Sequence, residues 1–155
     1  MTRPSGADPA FRLEDIVVGR KELSGTYVVS EAEIIDFGER YDPLPIHIDI
    51  EVAKASPFGG IIAAGGHMLA IKQLLLHDFS YAGGVIASLG HDEVRFLKPL
   101  RGGATCQVEI EWLAATPSTS KPERGTAVIG LRLLADGIAV MTLKDLVLMK
   151  RRVES

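Results

Sequence analysis

The 155-residue chain has a single cysteine, Cys106, so it can form neither an internal disulfide nor a cysteine-rich zinc site. That usage points to a reducing, cytoplasmic setting. Positive charge is not in excess: 17 Lys and Arg stand against 20 Asp and Glu, a net charge of −3, which argues against a nucleic-acid surface. Long apolar runs are also missing. The longest uncharged stretch, residues 55–71, is broken by Pro57, Gly59, Gly60, Gly65, Gly66 and His67 and falls short of the ~20 apolar residues that a helical membrane span needs. Residues 1–11 carry Arg3 and Asp8 and show no apolar targeting segment. A soluble protein without membrane or nucleic-acid partners is expected. There is no repeat at a solenoid period. The four histidines and lone cysteine show no metal-ligand spacing, so no metal is expected.

What is present is a globular composition, 46% hydrophobic and 24% charged, too apolar for a disordered chain. The length suits one domain near the usual ~100–150 residues, burying roughly 70% of the unfolded chain's surface. We divide it into a loose tail over residues 1–10 and a single domain over residues 11–155. Residues 11–20 and 22–29 read as short strands. Ser30 opens a helix, with Glu33 placed to complete a capping box. Ile34, Ile35 and Phe37 give that helix an apolar side, and Gly38 lies near its end. Residues 41–50 read as extended, because Pro43 and Pro45 disfavour helical geometry in the residues before them. A short helical turn follows over residues 51–55. Over residues 65–79, Met68, Leu69, Ile71, Leu74, Leu75 and Phe79 leave only a narrow polar stripe of Lys72, Gln73 and His77. Such a pattern predicts a helix buried on most sides.

Everything after this helix reads as sheet: short strands over residues 85–89 and 93–98, then a turn. From residue 105 to 112, Cys106, Val108, Ile110 and Trp112 alternate with Gln107, Glu109 and Glu111, the mark of a half-buried antiparallel strand. Residues 114–125 form a loop. Residues 126–134 and 138–149 make a hairpin across Asp136-Gly137, a pair that favours a tight turn. The order predicts an α+β fold, one long antiparallel sheet wrapped around a central helix, as in the hot-dog arrangement.

The stretch richest in chemistry is Asp42-Pro43-Leu44-Pro45-Ile46-His47. Its prolines favour a turn that would bring a carboxylate and an imidazole to one water, a common acid–base pair. From the residues alone the plainer reading is a capped turn, with Asp42 bonded to its own backbone and His47 satisfied nearby. Gly65 and Gly66 begin the buried helix, where free amides carry the positive end of the helix dipole and could bind a carbonyl oxygen that becomes negative. They are also simply small residues at a crowded helix start.

Residues 41–69, YDPLPIHIDIEVAKASPFGGIIAAGGHML, resemble the MaoC-like dehydratase family, which includes the (R)-specific enoyl-CoA hydratases. The shared pattern is Asp42, His47 five positions on, Asp49, then Phe58 and an apolar strip leading to Gly65. Asp92-Glu93-Val94-Arg95-Phe96-Leu97-Lys98-Pro99 resembles the strand that follows the central helix in the same family. Two departures are Leu44, where the hydratase pattern has Asn, and Ala64-Gly65-Gly66 in place of His-Gly-Met. The resemblance implies a hot-dog fold and reversible addition of water to an unsaturated acyl-CoA. Asp42 and His47 would hold the catalytic water, and the Gly65 amide would bind the thioester oxygen. Gly66, Phe58 and His67 would be neighbours of the substrate, although a satisfied, partly buried histidine is the plainer reading of His67. The CoA thioester is itself the substrate, so no cofactor is expected. Arg95, Lys98 and Arg101 are candidates for CoA phosphates, although solvated surface charge is the plainer reading. Sheet edges need cover, and family members pair sheets edge to edge, so a homodimer or dimer of dimers is expected. His77 and His91 read as structural or solvated, and Cys106 as an inert core thiol. A hot-dog thioesterase or a non-catalytic acyl-CoA-binding subunit are the competing readings.

Overall fold

The computed structural model describes residues 3–153. Its centre is a meander of long antiparallel strands, β4 (Thr105–Pro117), β5 (Arg124–Ala135) and β6 (Ile138–Lys150). A further long strand, β3 (Val85–Phe96), pairs with β6, and the short β1 (Lys21–Leu23) and β2 (Tyr27–Val28) both pair with β4. The six-stranded sheet therefore runs β1-β4-β5-β6-β3, with β2 beside β1 on the β4 edge.

The expected alternation in β4 is realised: Cys106, Val108, Ile110 and Trp112 are buried, while the residues between them are half-exposed. Burying an aliphatic side chain of this kind contributes roughly 1.5–3 kcal/mol. The β5–β6 turn places Asp136 at φ 49° and Gly137 at φ 82°, the left-handed pair that a two-residue hairpin requires. Against the concave side lies the central helix α4 (Gly65–Leu76), with Met68, Ile71 and Leu75 in the core. A sheet wrapped around one helix is the hot-dog, α+β architecture expected above. Among the described residues no helix is long and apolar enough to cross a membrane.

Several local expectations are corrected. Residues 11–20 form no strand; Leu13–Asp15 is a single 3-10 turn closed by Asp15, whose side chain accepts from the Arg12 amide. The central helix stops at Leu76, and Phe79 belongs to the core beyond it. β3 is one strand rather than two, bent by three register irregularities, with Gly90 at φ 136° and Glu93 at φ 54°. β4 and β5 extend further into residues 114–125, leaving a shorter loop. Lys72 is no part of a polar stripe: it is 1% exposed. Residues 3–10 run past the end of α4, with the Arg3 guanidinium on Asp78 and the Gly6 amide on the His77 carbonyl.

Candidate active site

The site is assembled by helix ends. Helix α1 (Glu31–Tyr41) starts at Ser30, whose Oγ accepts from the Glu33 amide. It stops at Asp42, whose amide donates to the Gly38 carbonyl at 2.9 Å. After Leu44 the chain turns into a one-turn helix, α2 (Pro45–Ile48), where an extended segment was expected. Proline is barred from helix interiors but suits the first helical position, because its φ is already set and the amide it lacks would have no partner there. Pro45 occupies that position and so starts the turn that carries His47. Asp49 then caps α3 (Ile50–Ala55), its Oδ1 accepting from the Glu51 and Val52 amides at 3.1 Å. Asp49 thus has a structural duty.

His47 is buried, yet only half of its ring is committed. Its Nδ1 lies 2.6 Å from the Ile62 carbonyl oxygen, so Nδ1 carries the proton and donates. This leaves the lone pair on Nε2, which lies 3.5 Å from Asp42 Oδ2. Two acceptors at that separation suit one water that donates to both. The close approach depends on Gly38: a Cβ there would stand 3.0 Å from the His47 Cβ and 2.9 Å from an Ile48 methyl.

His47 lines an apolar cleft of about 350 Å³ together with Phe58, Ile62, Gly65, Phe96 and Lys98. The Gly65 and Gly66 amides at the start of α4 meet no acceptor among the described residues, so the positive end of a twelve-residue helix opens beside the cleft. The Phe96 ring closes over Gly65: an added Cβ would fall 2.5 Å from the ring tip, so any side chain here requires that ring to move. A base with a free lone pair, a carboxylate beside it and unspent amides are the parts needed to add water next to a carbonyl and stabilise the resulting oxyanion.

From the sequence-derived set, His47, Phe58 and Gly65 share the cleft and Asp42 stands beside His47, while Gly66 turns its open side toward Phe37. His67 is placed elsewhere. Its ring is buried in a separate groove with Tyr27 and Phe37, Nε2 lying 2.7 Å from Glu33 Oε2. It thus lies outside the cleft that holds His47 and Gly65. Of the basic candidates, Lys98 lines the cleft, Arg101 donates to the Phe58 carbonyl at 2.6 Å, and Arg95 bonds only the neighbouring Val94 carbonyl. Cys106 is wholly buried, and burial pushes its thiol up to about 11, in keeping with an inert role. Sequence reasoning missed Tyr27, Glu33 and the cluster in which buried Lys72 and Asp145 meet the part-exposed His91. The only signals were an acidic residue in a helix first turn and a charge inside an otherwise apolar strand.

The chain matches the family described as MaoC like domain over residues 16–129. Its structure resembles the MaoC-like dehydratase from Rhodospirillum rubrum, with a TM-score of 0.85 and 35% identity over 94% of this chain and 100% of that one. It also resembles the (R)-hydratase from A. caviae involved in PHA biosynthesis, with a TM-score of 0.68 over 86% of this chain and 97% of that one. At 23% identity the second likeness is one of fold. A 91-residue stretch is 31% identical to the uncharacterized protein YdeM of Bacillus subtilis (strain 168). It covers 58% of this chain and 64% of YdeM, so the chain spans just under two thirds of the curated relative it matches.

Proposed function

The chain belongs to this MaoC-like family of dehydratases and hydratases, and from that premise we propose that it is a hydro-lyase, adding water reversibly across the double bond of a 2-enoyl-CoA or related unsaturated acyl-CoA. The observation that carries the reading is the half-committed ring of His47, its free Nε2 facing Asp42 Oδ2 at 3.5 Å while the same residue shares a cleft with Gly65.

In the forward direction the thioester oxygen accepts from the Gly65 amide, which polarises the conjugated double bond. Water held between His47 and Asp42 loses a proton to His47 Nε2 as its oxygen bonds the β-carbon. The electron pair of the double bond moves to the enolate, whose oxygen meets the amide and the helix dipole. The α-carbon then takes up a proton by way of Asp42. His47 Nε2 hands the proton it took to Asp42 Oδ2, 3.5 Å away, and Asp42 delivers it to the α-carbon, so both residues end as they began. The carbonyl carbon is never attacked. A thioesterase would want a carboxylate on or beside the central helix at the cleft; α4 carries none, and the two that stand beside it, Glu33 and Asp145, are taken by His67 and Lys72 and do not line the cleft.

The acyl group would lie in the apolar cleft, and Lys98 at its rim suits a CoA phosphate. We infer a homodimer as well. β3 pairs on one side only, and Ile86, Leu89 and Phe96 along it are about half exposed, an edge that a second copy would cover. Light scattering at micromolar concentration is expected to give a dimer mass; a clean monomer would refute this assembly.

The test of function incubates matched saturated and 2-unsaturated acyl-CoA thioesters with the protein. Loss of the conjugated absorbance is followed beside release of free thiol. Hydration of the enoyl ester without thiol release is expected, with the saturated ester inert. Thiol released from the saturated ester at a comparable rate would replace the hydratase reading with the thioesterase one.

A further inference from the structure

We propose that Tyr27, Glu33 and His67 are positioning residues for the hydration chemistry, a polar brace between α1 and α4 that holds Asp42 against His47. Resting on the hydratase reading, this assignment extends it to residues outside the cleft.

Glu33, Phe37 and Tyr41 recur every four residues and so share one face of α1. The His67 ring, in the first turn of α4, stacks on Phe37 with centroids 4.5 Å apart and planes 6° from parallel. Its Nε2 reaches Glu33 Oε2 at 2.7 Å, and the Tyr27 hydroxyl donates to the other oxygen of Glu33. The Glu33 bond, followed by burial, raises the Tyr27 phenol to about 12, so it stays a donor. Glu33 therefore accepts on both oxygens, and the proton of His67 is drawn to Nε2. Nδ1 is buried with no partner among the described residues. A histidine kept only to fill the core would ordinarily have both nitrogens satisfied; this one commits its single bond to α1.

The next residue along α1, Gly38, lies against the His47 Cβ. Consecutive positions on one helix thus seat both histidines, and that helix ends in Asp42. His47 is tethered separately, through Nδ1 to Ile62. The 3.5 Å between Asp42 and His47 is therefore set by how α1 is held, and the brace is the polar contact that holds α1 to the helix bearing the free amides.

The test is Glu33→Gln, which keeps the shape but offers a donor where the network needs an acceptor, with Tyr27→Phe as the milder second variant. Glu33→Gln is expected to lower kcat roughly ten-fold with KM within about two-fold, less than the ~10² that a misplacement of 1 Å can cost. Combined with Asp42→Asn it should change the residual rate less than about two-fold, because it acts through Asp42 and such effects do not add. Wild-type kcat in Glu33→Gln, or costs that multiply in the double variant, would overturn the assignment. A second readout needs no substrate. In ¹⁵N NMR of the folded variants, the His47 Nε2 resonance should move in Glu33→Gln and move less in Tyr27→Phe. An unmoved His47 resonance overturns the brace even if the protein hydrates nothing. A protein that hydrates nothing while His47 does move counts against the hydratase reading and leaves the brace supported.

Discussion

Two histidine–carboxylate pairs in this molecule are built in opposite ways. Asp145 is 3% exposed and fully engaged: it accepts from Lys72 Nζ at 3.0 Å through one oxygen and from His91 Nδ1 through the other. Lys72 is itself 1% exposed and also reaches Gln73. Asp42, by contrast, keeps 40% of its side chain exposed, and the nearest nitrogen of His47 stands 3.5 Å away with no hydrogen bond between them. The first grouping is saturated and the second is unspent. Charges taken out of water must be fully compensated where they rest. Groups that are to act on something else must keep capacity free. This contrast is the physical ground on which Asp42 and His47, and not Asp145, are proposed as the reacting pair.

The comparison predicts opposite phenotypes. The largest effect is expected from breaking the saturated cluster. Asp145→Ala leaves Lys72 buried without its partner and should cost about 3–5 kcal/mol in denaturant unfolding. The paired replacement Lys72→Met with Asp145→Leu should recover most of that loss, because it buries no charge. If Asp145→Ala were as stable as the parent, the cluster would not be the closed structural unit described here.

Next comes the unspent pair. Asp42→Asn and His47→Ala should each lower hydration at least ~10²-fold, or about 2.7 kcal/mol of barrier. Asp42→Asn should leave unfolding free energy within about 1 kcal/mol of the parent, since its side chain is part-exposed and unpaired. A variant that loses stability and activity in step would place Asp42 with the structural group.

The smallest effect belongs to Arg3 and Asp78, at the far end of α4. The guanidinium bonds both carboxylate oxygens, at 2.9 and 2.6 Å, and holds the Asp78 carboxyl below its ordinary range. A carboxyl depressed in the folded state stabilises the fold above its unfolded value of ~3.9, and that contribution is lost as pH falls through the lower folded value. Acid unfolding of Arg3→Ala should therefore show a weaker pH dependence below about pH 4, and at neutral pH a loss of roughly 1 kcal/mol or less. Identical acid limbs in the two proteins would show that the pair contributes nothing.

The features legible in the sequence were those with short-range causes. The buried face of β4, the Asp136-Gly137 turn and the apolar surface of α4 follow from periodicity and backbone preference within a few residues. The Asp42–His47 spacing was visible for the same reason. What escaped was long-range or depended on position. Lys72 looked like part of a solvated stripe because its partner stands 73 residues away on another strand. Glu33 was assigned to a capping box with Ser30. Only the Ser30 half of that box forms, because the Glu33 carboxylate is taken by Tyr27 and His67. Pro45 disfavours helix in the residue before it, yet its own place at the first helical position starts one.

The order of pairing in the sheet bears on how the molecule comes to exist at all. β4, β5 and β6 are sequential neighbours, whereas Lys21 must find Glu111 and Val85 must find Met149. Closing a long loop costs entropy before its contacts repay it. We expect the C-terminal meander to form the folding nucleus, with α1 and α2 docking after the rate-limiting barrier. Val140→Ala should then slow folding, while Ile34→Ala, in the core of α1, should chiefly speed unfolding; the reverse pattern in a chevron analysis would rule this order out. On this order the Asp42–His47 pair is finished last, so partly folded chains would carry the scaffold before they carry the proposed site.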